Sequence, residues 1–560
     1  MVIRLSNIAK DILKKRYLLK NDKREIIETP EQMFKRVAKA IAAVERVYGK
    51  DPKEIEKKFY KLMADTDFLP NSPTMMNAGT GIGQLSACFV LPIEDSINSI
   101  FDTLKNMAII HQSGGGVGFS FSKIRPEGDL VRKSKGRASG PVSFLKVYDK
   151  AAEIIKQGGR RRGANIGILR IDHPDIEEFI TVKAKEKMEN FNLSVGITDE
   201  FMEAVENDSS FGLVNPRTKR TMKKIKARRL FELLTENAWQ RGDPGVIFLG
   251  AVNRNNTLKL GEIEATNPCG EVPLYPYESC NLGSINLSNM VVNGEIDWRR
   301  FRRAVRIGVH FLDNVIDTNR YPLKIIEEKT RANRKIGLGI MGFAEMLIKL
   351  GVKYDSDGAV KIAERVMDFV TEEARKKSIE LGRERGNFPN FRKSRFVGKH
   401  KNMRNATVTT VAPTGTISII AGTTSGIEPL FAVAFVRRIM DGKEYFELDP
   451  QFQKILKEKG LYSKKLVSEI RKGKAKIPEK LRELFVTALD IEPEQHIKIQ
   501  AAFQKYTDNA VSKTVNLKQD ATKKDVADAF KLAYKLGCKG VTVYRYGSKE
   551  GQVLNICTTC

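Results

Sequence analysis

The run Asn267-Pro268-Cys269-Gly270-Glu271 places a thiol two positions from a carboxamide and two from a carboxylate. If the backbone is extended there, the period of two puts all three side chains on one face. Pro268 and Gly270 argue against a central strand and for a loop or finger that presents that face. An isolated cysteine is ordinarily a small buried hydrophobe, so its neighbours must carry any chemical reading. A carboxylate on the same face raises a thiol's pKa, because like charges resist joint ionisation. The arrangement therefore suits an ionic nucleophile poorly. It suits a neutral thiol that loses and regains a hydrogen atom, beside a carboxylate that handles a hydroxyl proton.

The other cysteines are Cys88, Cys280, Cys538, Cys557 and Cys560, and only the last two form a close CxxC pair. Six in 560 residues do not make a disulfide framework. The histidines (His111, His173, His310, His400 and His496) show no HxxxH or HxH spacing and read as surface or packing residues. No protein-bound metal is expected from them.

Two segments could bind anions. Ala412-Pro413-Thr414-Gly415-Thr416-Ile417-Ser418 reads as a strand feeding a helix N-terminus, where amides and hydroxyls make an anion site or an ordinary capped turn. Asn71-Ser72-Pro73-Thr74 reads as a helix cap with an early proline. Gly114–Gly118 is a weak dinucleotide fingerprint in the wrong context for a Rossmann turn. Lys156–Gly163, KQGGRRRG, could be a solvated basic loop.

The elements that must position these residues are legible in outline. Apolar residues at Met33, Val37, Ala40, Ile41 and Val44 predict a helix in a small N-terminal region, residues 1–66. Strand-like runs then alternate with glycine-rich turns and helices such as Phe201–Glu206 and Leu230–Arg241, favouring one large α/β domain over 67–546. Ser463–Arg482, rich in lysine, reads as an insertion or peripheral helical arm. Residues 547–560 read as a flexible tail.

The basic excess, +28, would suit a polyanionic partner, but lysine and arginine are spread among glutamates throughout. A solvated mixed-charge surface is expected rather than a nucleic-acid face. No long apolar run and no signal peptide are visible, so the expected setting is cytoplasmic, without a membrane partner.

Several ordered motifs together resemble the ribonucleotide reductase family: NSPTMMNAGT with QLSACF, SGGGVGFSFSKIRPEGD, IIKQGGRRRGANIGIL, NPCGE with SCNLGSINLS, NRKIGLGIMGFAE, VAPTGTISIIAGTTSGIEP and GCKGVTVYR. The resemblance implies a ten-stranded α/β barrel with the Cys269 finger through its centre. It makes Cys269 the thiyl site that removes the ribose 3′ hydrogen, Glu271 the acceptor of the 3′-hydroxyl proton, and Asn267 the holder of the hydroxyls. Cys88 and Cys280 would be the pair that becomes a disulfide at each turnover. Ser72, Thr74, Ala87, Gly116, Pro413, Thr414, Gly415, Thr416 and Ser418 would bind substrate.

The glycine-rich segments at Gly114–Gly118 and Lys156–Gly163 read as regulatory, the second being similar to the family's specificity loop. Asp95, Lys123, Arg125, Lys156, Gln157 and Arg161 would contact a deoxynucleotide or ATP effector. Asp95 suits ribose hydroxyls there, and the bases suit phosphates.

Val541–Tyr546 lacks the adjacent tyrosine pair of the oxygen-dependent class, and no glycyl-radical motif is visible. GCKGVTVYR follows the adenosylcobalamin class, so that cofactor is implied. A large subunit of the oxygen-dependent class remains the alternative, and a basic nucleic-acid-binding protein a distant one. Cys557 and Cys560 match a tail dithiol renewed by a thioredoxin- or glutaredoxin-like protein, or else half of a zinc ribbon. Cys538 reads as structural. A homodimer is expected, and the short helical start lacks the length of an ATP-binding cone.

Overall fold

The computed structural model describes residues 3, 5–131, 135–157, 161–439, 443–471, 477–548 and 554–556. Near the N-terminus, Thr29 and Gln32 form a reciprocal capping box that starts α1 (Pro30–Ala42), and Asp51 caps α2 (Pro52–Ala64). Met33, Phe34, Val37, Ala38 and Ile41 form the buried stripe of α1, while Ala40 lies at its half-exposed edge. That spacing lets α1 lie against the barrel and share a core with Phe59, Phe68, Phe301 and Phe311.

The barrel strands are β1 (Phe68–Pro70), β2 (Cys88–Leu91), β3 (Gly116–Ser120), β4 (Asn165–Arg170), β5 (Phe191–Ile197), β6 (Gly245–Phe248), β7 (Ser279–Asn286), β8 (Ile336–Met341), β9 (Thr514–Leu517) and β10 (Gly540–Arg545). They form one ten-stranded sheet in the order β1-β7-β2-β3-β4-β5-β6-β10-β9, with β8 also paired to β7. β2 to β6 run parallel, and β7 with β8 and β9 with β10 are parallel pairs that flank them in the opposite direction. The ring closes through the extended segment 407–411. Leu338 N–H donates to Val408 O (2.8 Å) on one side, and Val411 N–H donates to Ala510 O (3.1 Å) on the other.

Because both faces of the barrel wall are covered, its strands read as nearly continuous apolar runs. Alternation then sorts them. Cys88, Val90, Ile166 and Ile168 face an inner cluster with Val272, Leu274 and Leu282, whereas Phe89, Leu91 and Leu169 face the surrounding helices. The inner cluster surrounds a hairpin, Ala265–Thr266 paired with Pro273–Leu274. This finger fits only because β3 has no side chain at Gly118, where a Cβ would overlap the Thr266 carbonyl.

Further elements labelled here are α3 (Ser72–Asn77), α4 (Ile97–Ser113), α5 (Trp298–Thr318), α6 (Asp357–Arg385) and α7 (Ile417–Ala421). The helices expected at Phe201–Glu206 and Leu230–Arg241 occur as Asp199–Glu206 and Ala227–Arg241. The lysine-rich arm is helical over Lys464–Arg471 and Glu479–Leu484, with its own small core at Phe452, Leu456, Ile470 and Phe485. The tail is not wholly unstructured as expected. Leu554–Ile556 adds an edge strand to the hairpin Ala434–Ile439/Lys443–Leu448, because three residues there find an open antiparallel partner. Cys557 and Cys560 lie outside the described residues. Among the described residues, no helix is long and apolar enough to cross a membrane.

Candidate active site

The tip of the finger is a tight turn and not the extended segment that the spacing suggested. Gly270 N–H donates to Asn267 O (2.9 Å), with Pro268 at the second position and Gly270 at φ +80°. Proline fixes the first corner, and glycine accepts the left-handed fourth position. The three side chains reach one cavity all the same, through the turn's geometry. Asn192 Nδ2 donates to Pro268 O (3.0 Å) from β5, while Thr410 Oγ1 (2.7 Å) from the closing segment and Ala510 N–H (2.9 Å) from beside it donate to Glu271 O. The finger is thus held from several sides of the lumen.

The cavity, about 260 Å³, is lined by Cys88, Asn267, Cys269 and Glu271 in its middle. Cys269 is exposed, and Cys88 and Cys280 are buried; none of the three is in a disulfide. Cys88 and Cys280 stand directly opposite each other where β2 pairs antiparallel with β7. Opposed residues in such a pair have Cα atoms about 4.5–5.5 Å apart, within the range that a disulfide spans. The sequence alone could not bring them together.

Electrostatics keep this centre neutral. Burial pushes the Cys88 thiol well above its ordinary pKa, and the nearby Glu271, Cys280 and Cys269 push the same way; the Asn267 amide, 3.1 Å from Cys88 Sγ, pulls weakly back. Burial likewise raises Cys280, against the charge of Lys335. Burial pushes Glu271 up to about 7, opposed by Asn267. Its Oε2 has no hydrogen-bond partner in the protein. A buried carboxyl poised near neutrality with an unused oxygen is equipped to take a proton from a bound hydroxyl.

The anion segments are only partly as expected. Asn71 caps α3 by accepting from Thr74 N–H (2.9 Å), and Asn71, Ser72 and Pro73 line the cavity. Thr74 does not: its hydroxyl donates to Leu85 O (3.0 Å) behind the wall. Pro413, Thr414, Gly415 and Thr416 also line the cavity, but the Thr414 hydroxyl accepts from Gly426 N–H (2.7 Å). Ser418 bonds Ser425 (3.0 Å) and lies outside the lining. Two of the three expected hydroxyls in this segment therefore brace the loop, and Thr416 is the one left at the cavity.

Gly114, Gly115 and Gly116 line the cavity beside Ala87, so this segment, read as regulatory apart from Gly116, which with Ala87 was expected at the substrate, forms part of the cavity wall. The reason is the packing of β3 on the finger: a Cβ on Gly116 would stand 3.1 Å from Pro268 Cγ. His111, read as a surface or packing residue, also lines the cavity, and its place directly before the SGGG turn was the available signal. Lys335 was missed as well; its buried ion pair with Glu278 (2.7 Å) stands behind Cys280.

The expected effector residues form another cluster. Arg125 Nε pairs with Asp95 (2.8 Å), and Lys123 with Glu94 (2.8 Å). Asp95 and Arg125 thus satisfy one another here instead of presenting open groups. They lie near the start of α4, which spans about 25 Å over its 17 residues and carries His111 in its last turn. Lys156–Gln157 and Arg161–Arg162 form a short hairpin that packs on α4.

The ten-stranded α/β ring thus holds a cysteine finger in its lumen and a cysteine pair in its wall. Residues 86–544 match the ribonucleotide reductase barrel domain, and residues 3–83 match the family's all-alpha domain. The chain belongs to the ribonucleotide reductase family. It is 48% identical, over 99% of its length and 80% of the relative's, to the vitamin B12-dependent ribonucleoside-diphosphate reductase of Thermoplasma acidophilum. The protein of the same description from Mycobacterium tuberculosis (H37Rv) is 48% identical over 99% of this chain and 79% of its own. In fold the chain is similar to the class Id ribonucleotide reductase alpha subunit of Actinobacillus ureae, with TM-score 0.80, 23% identity and 97% of each chain covered.

Proposed function

We infer that this chain reduces ribonucleoside diphosphates to 2′-deoxyribonucleotides with adenosylcobalamin as cofactor. The observation that carries the reading is an exposed thiol at the finger tip, beside two buried, neutral thiols, Cys88 and Cys280, and a buried carboxyl, Glu271, pushed up to about 7. The relatives at 48% identity are named for the same reaction and vitamin. Cys269 is the thiol open to a group bound outside the cavity. That exposure fits an external radical source. Adenosylcobalamin, when bound, supplies the initiating radical by homolysis of its cobalt–carbon bond.

On this reading Cys269, as a thiyl, takes the 3′ hydrogen, and Glu271 accepts the 3′-hydroxyl proton through its unpartnered Oε2. Asn267 orients the hydroxyls, exchanging its contact with Cys88 for one with the sugar. The 2′-hydroxyl leaves as water while Cys88 and Cys280 give two hydrogens and close a disulfide. One C–O bond is thereby replaced by C–H, and two thiols by S–S plus water. Cys269 then returns the abstracted hydrogen to C3′, which restores the 3′ C–H bond and regenerates the thiyl. Asn71–Pro73 and Pro413–Thr416 form the phosphate end. A thioredoxin-like reductant acting through Cys557 and Cys560, a homodimer and an effector near Asp95, Lys123 and Arg125 complete the proposal.

The test is anaerobic incubation of the purified chain with adenosylcobalamin, a dithiol and each ribonucleoside diphosphate, with deoxynucleotide read by chromatography. Product without a second subunit supports the reading. Product only after adding a metal-containing subunit would return it to the oxygen-dependent class.

A further inference from the structure

Cys88 and Cys280 face each other across β2 and β7, but their surroundings differ. Cys88 lines the active cavity; Cys280 lies outside the lining and is fully buried. Its Sγ donates to Lys335 O (3.7 Å), at the residue just before β8, where Ile336 pairs with Asn281. The Lys335 side chain is buried as well, ion-paired with Glu278 (2.7 Å), and its ammonium stands 4.8 Å from the centre of the Tyr275 ring. Glu278 also accepts from Tyr275 N–H (2.7 Å) and from the Asn333 amide, so three donors share its charge. A buried ion pair is weak evidence of stability, so its place beside a thiol asks for another reason.

The pair makes the two sulfurs unequal. Burial disfavours a thiolate at both. At Cys280 the strongest charge is that of Lys335, which favours the thiolate, ahead of Glu278 and Glu271, which oppose it. At Cys88 the strongest charge is that of Glu271, which opposes it. In thiol–disulfide exchange the incoming thiolate bonds to one sulfur, and the other departs with the electron pair, faster the more acidic its thiol. Access thus favours attack at Cys88, and charge favours departure of Cys280.

Resting on the function proposed above, we propose that Lys335, paired with Glu278, is a positioning residue that makes Cys280 the leaving sulfur when a dithiol reductant opens the Cys88–Cys280 disulfide, so that the reductant bonds to Cys88. The dithiol gives one proton to water, and its thiolate bonds to Cys88 Sγ. The Cys88–Cys280 bond breaks, and its electron pair stays on Cys280 as a thiolate stabilised by the Lys335 ammonium until it takes a proton from water. The reductant's second thiolate then displaces Cys88, which is protonated in the same way. The dithiol ends as a disulfide and the protein's disulfide as two thiols, with no net proton consumed.

The experiment uses the full chain with Cys557→Ser and Cys560→Ser, oxidised with diamide to form the bridge, and needs neither nucleotide nor cofactor. Opening by dithiothreitol or by glutathione is quenched in acid and mapped by peptide mass spectrometry. This background is compared with Lys335→Arg and with the double variant Lys335→Met/Glu278→Gln, which removes the pair without leaving a lone buried charge. We expect glutathione mainly on Cys88, opening by dithiothreitol about tenfold slower in the double variant, and a rate near the background in K335R. Mere loss of packing predicts the reverse, since a loosened wall exposes the bridge and opens it faster. Glutathione mainly on Cys280, or a double variant that opens at the background rate or faster, overturns the inference. Should that variant fail to fold, Lys335→Gln/Glu278→Gln decides by the same rates. Failure of the Cys88–Cys280 bridge to form overturns both this inference and the function proposed above. A bridge that opens as expected in a chain that reduces no ribonucleotide overturns the function and leaves this inference standing.

Discussion

Two fully buried carboxylates, about equally remote from water, behave in opposite ways. Asp313, on α5, meets Arg334 (2.8 Å), Arg385 (3.3 Å) and Arg404 (3.4 Å) and accepts from Asn405 (3.0 Å). Burial alone would raise its pKa, but the three guanidinium groups hold it well below the usual carboxylate range. Glu271 has no cation against it, and burial pushes it up to about 7. The first site is a seam: Arg385, at the end of α6, also grips Glu45 (2.7 Å), joining the N-terminal helices to the barrel. The second, on the proposed function, is a reactive centre, where countercharge would fix the proton and quench the chemistry. Burial supplies the same penalty to both, and the neighbours decide whether it becomes rigidity or reactivity.

The largest expected effect comes from the reactive side. Cys269→Ala removes the hydrogen-abstracting atom while the cavity walls stay. Multiple turnover should fall by at least about 10⁴-fold, as for other residues that act as the essential member of a unit. Nucleotide binding, followed by calorimetry, should remain within a few-fold. Retained turnover in this variant would remove the finger from the chemistry.

On the seam, Asp313→Asn leaves Arg334, Arg385 and Arg404 around a neutral amide. Breaking one partner of a buried ionic cluster typically loses about 3–5 kcal/mol, and urea unfolding of D313N should show a loss of that size. The depressed pKa keeps this contribution present at all pH values above the ordinary carboxylate range, so the deficit should be constant from pH 6 to 8.

Glu271 predicts the reverse pH behaviour. Its folded-state pKa, about 7, lies above the ordinary carboxyl value of 4.5, so between those values the native state holds a proton that the unfolded chain has lost. Stability contributed by the neutral form is complete below pH 4.5 and is lost as pH rises through 7. The difference amounts to roughly 3 kcal/mol at about 1.4 kcal/mol per unit. Glu271→Gln should therefore gain stability over wild type at pH 8 by up to about that amount and little at pH 4.5, while turnover falls. Equal stability of the two at both pH values would mean that water reaches the carboxylate.

How far the sequence revealed these two regions follows from the range of their interactions. Asn267, Cys269 and Glu271 are neighbours in the chain, so their shared cavity could be expected, and Pro268 and Gly270 pointed to a loop or finger, although not to the tight turn that it contains. The barrel's strands were legible as apolar runs. The pairing of Cys88 with Cys280 required the β2–β7 register, which spacing does not encode without the family resemblance. The seam was invisible, because Glu45, Asp313, Arg334, Arg385 and Arg404 come from five places and look like solvated charges in a chain that has many. His111 and Lys335 were hidden for the same reason. Hydroxyl-rich motifs overstated the phosphate site, since Thr74, Thr414 and Ser418 spend their hydroxyls inside the fold.

The finest test asks whether the reactive side needs only its atoms or also their placement. Thr410 Oγ1 donates to Glu271 O (2.7 Å), and the same carbonyl accepts from Ala510 N–H (2.9 Å). Thr410→Val keeps the shape and leaves that carbonyl with its backbone partner, so unfolding free energy should fall by only about 1 kcal/mol. The finger would nevertheless lose its bond to the closing segment and keep at this carbonyl only the one from Ala510. Geometry held to a fraction of an ångström is what brings a thiol and a carboxyl to the same sugar, and displacement of the order of 1 Å can lower turnover by about 10²-fold. A fall in kcat well beyond the stability change, with KM little altered, would show that the closing segment positions Glu271. A kcat that follows stability alone would mean that the turn at Pro268–Gly270 holds the tip without help.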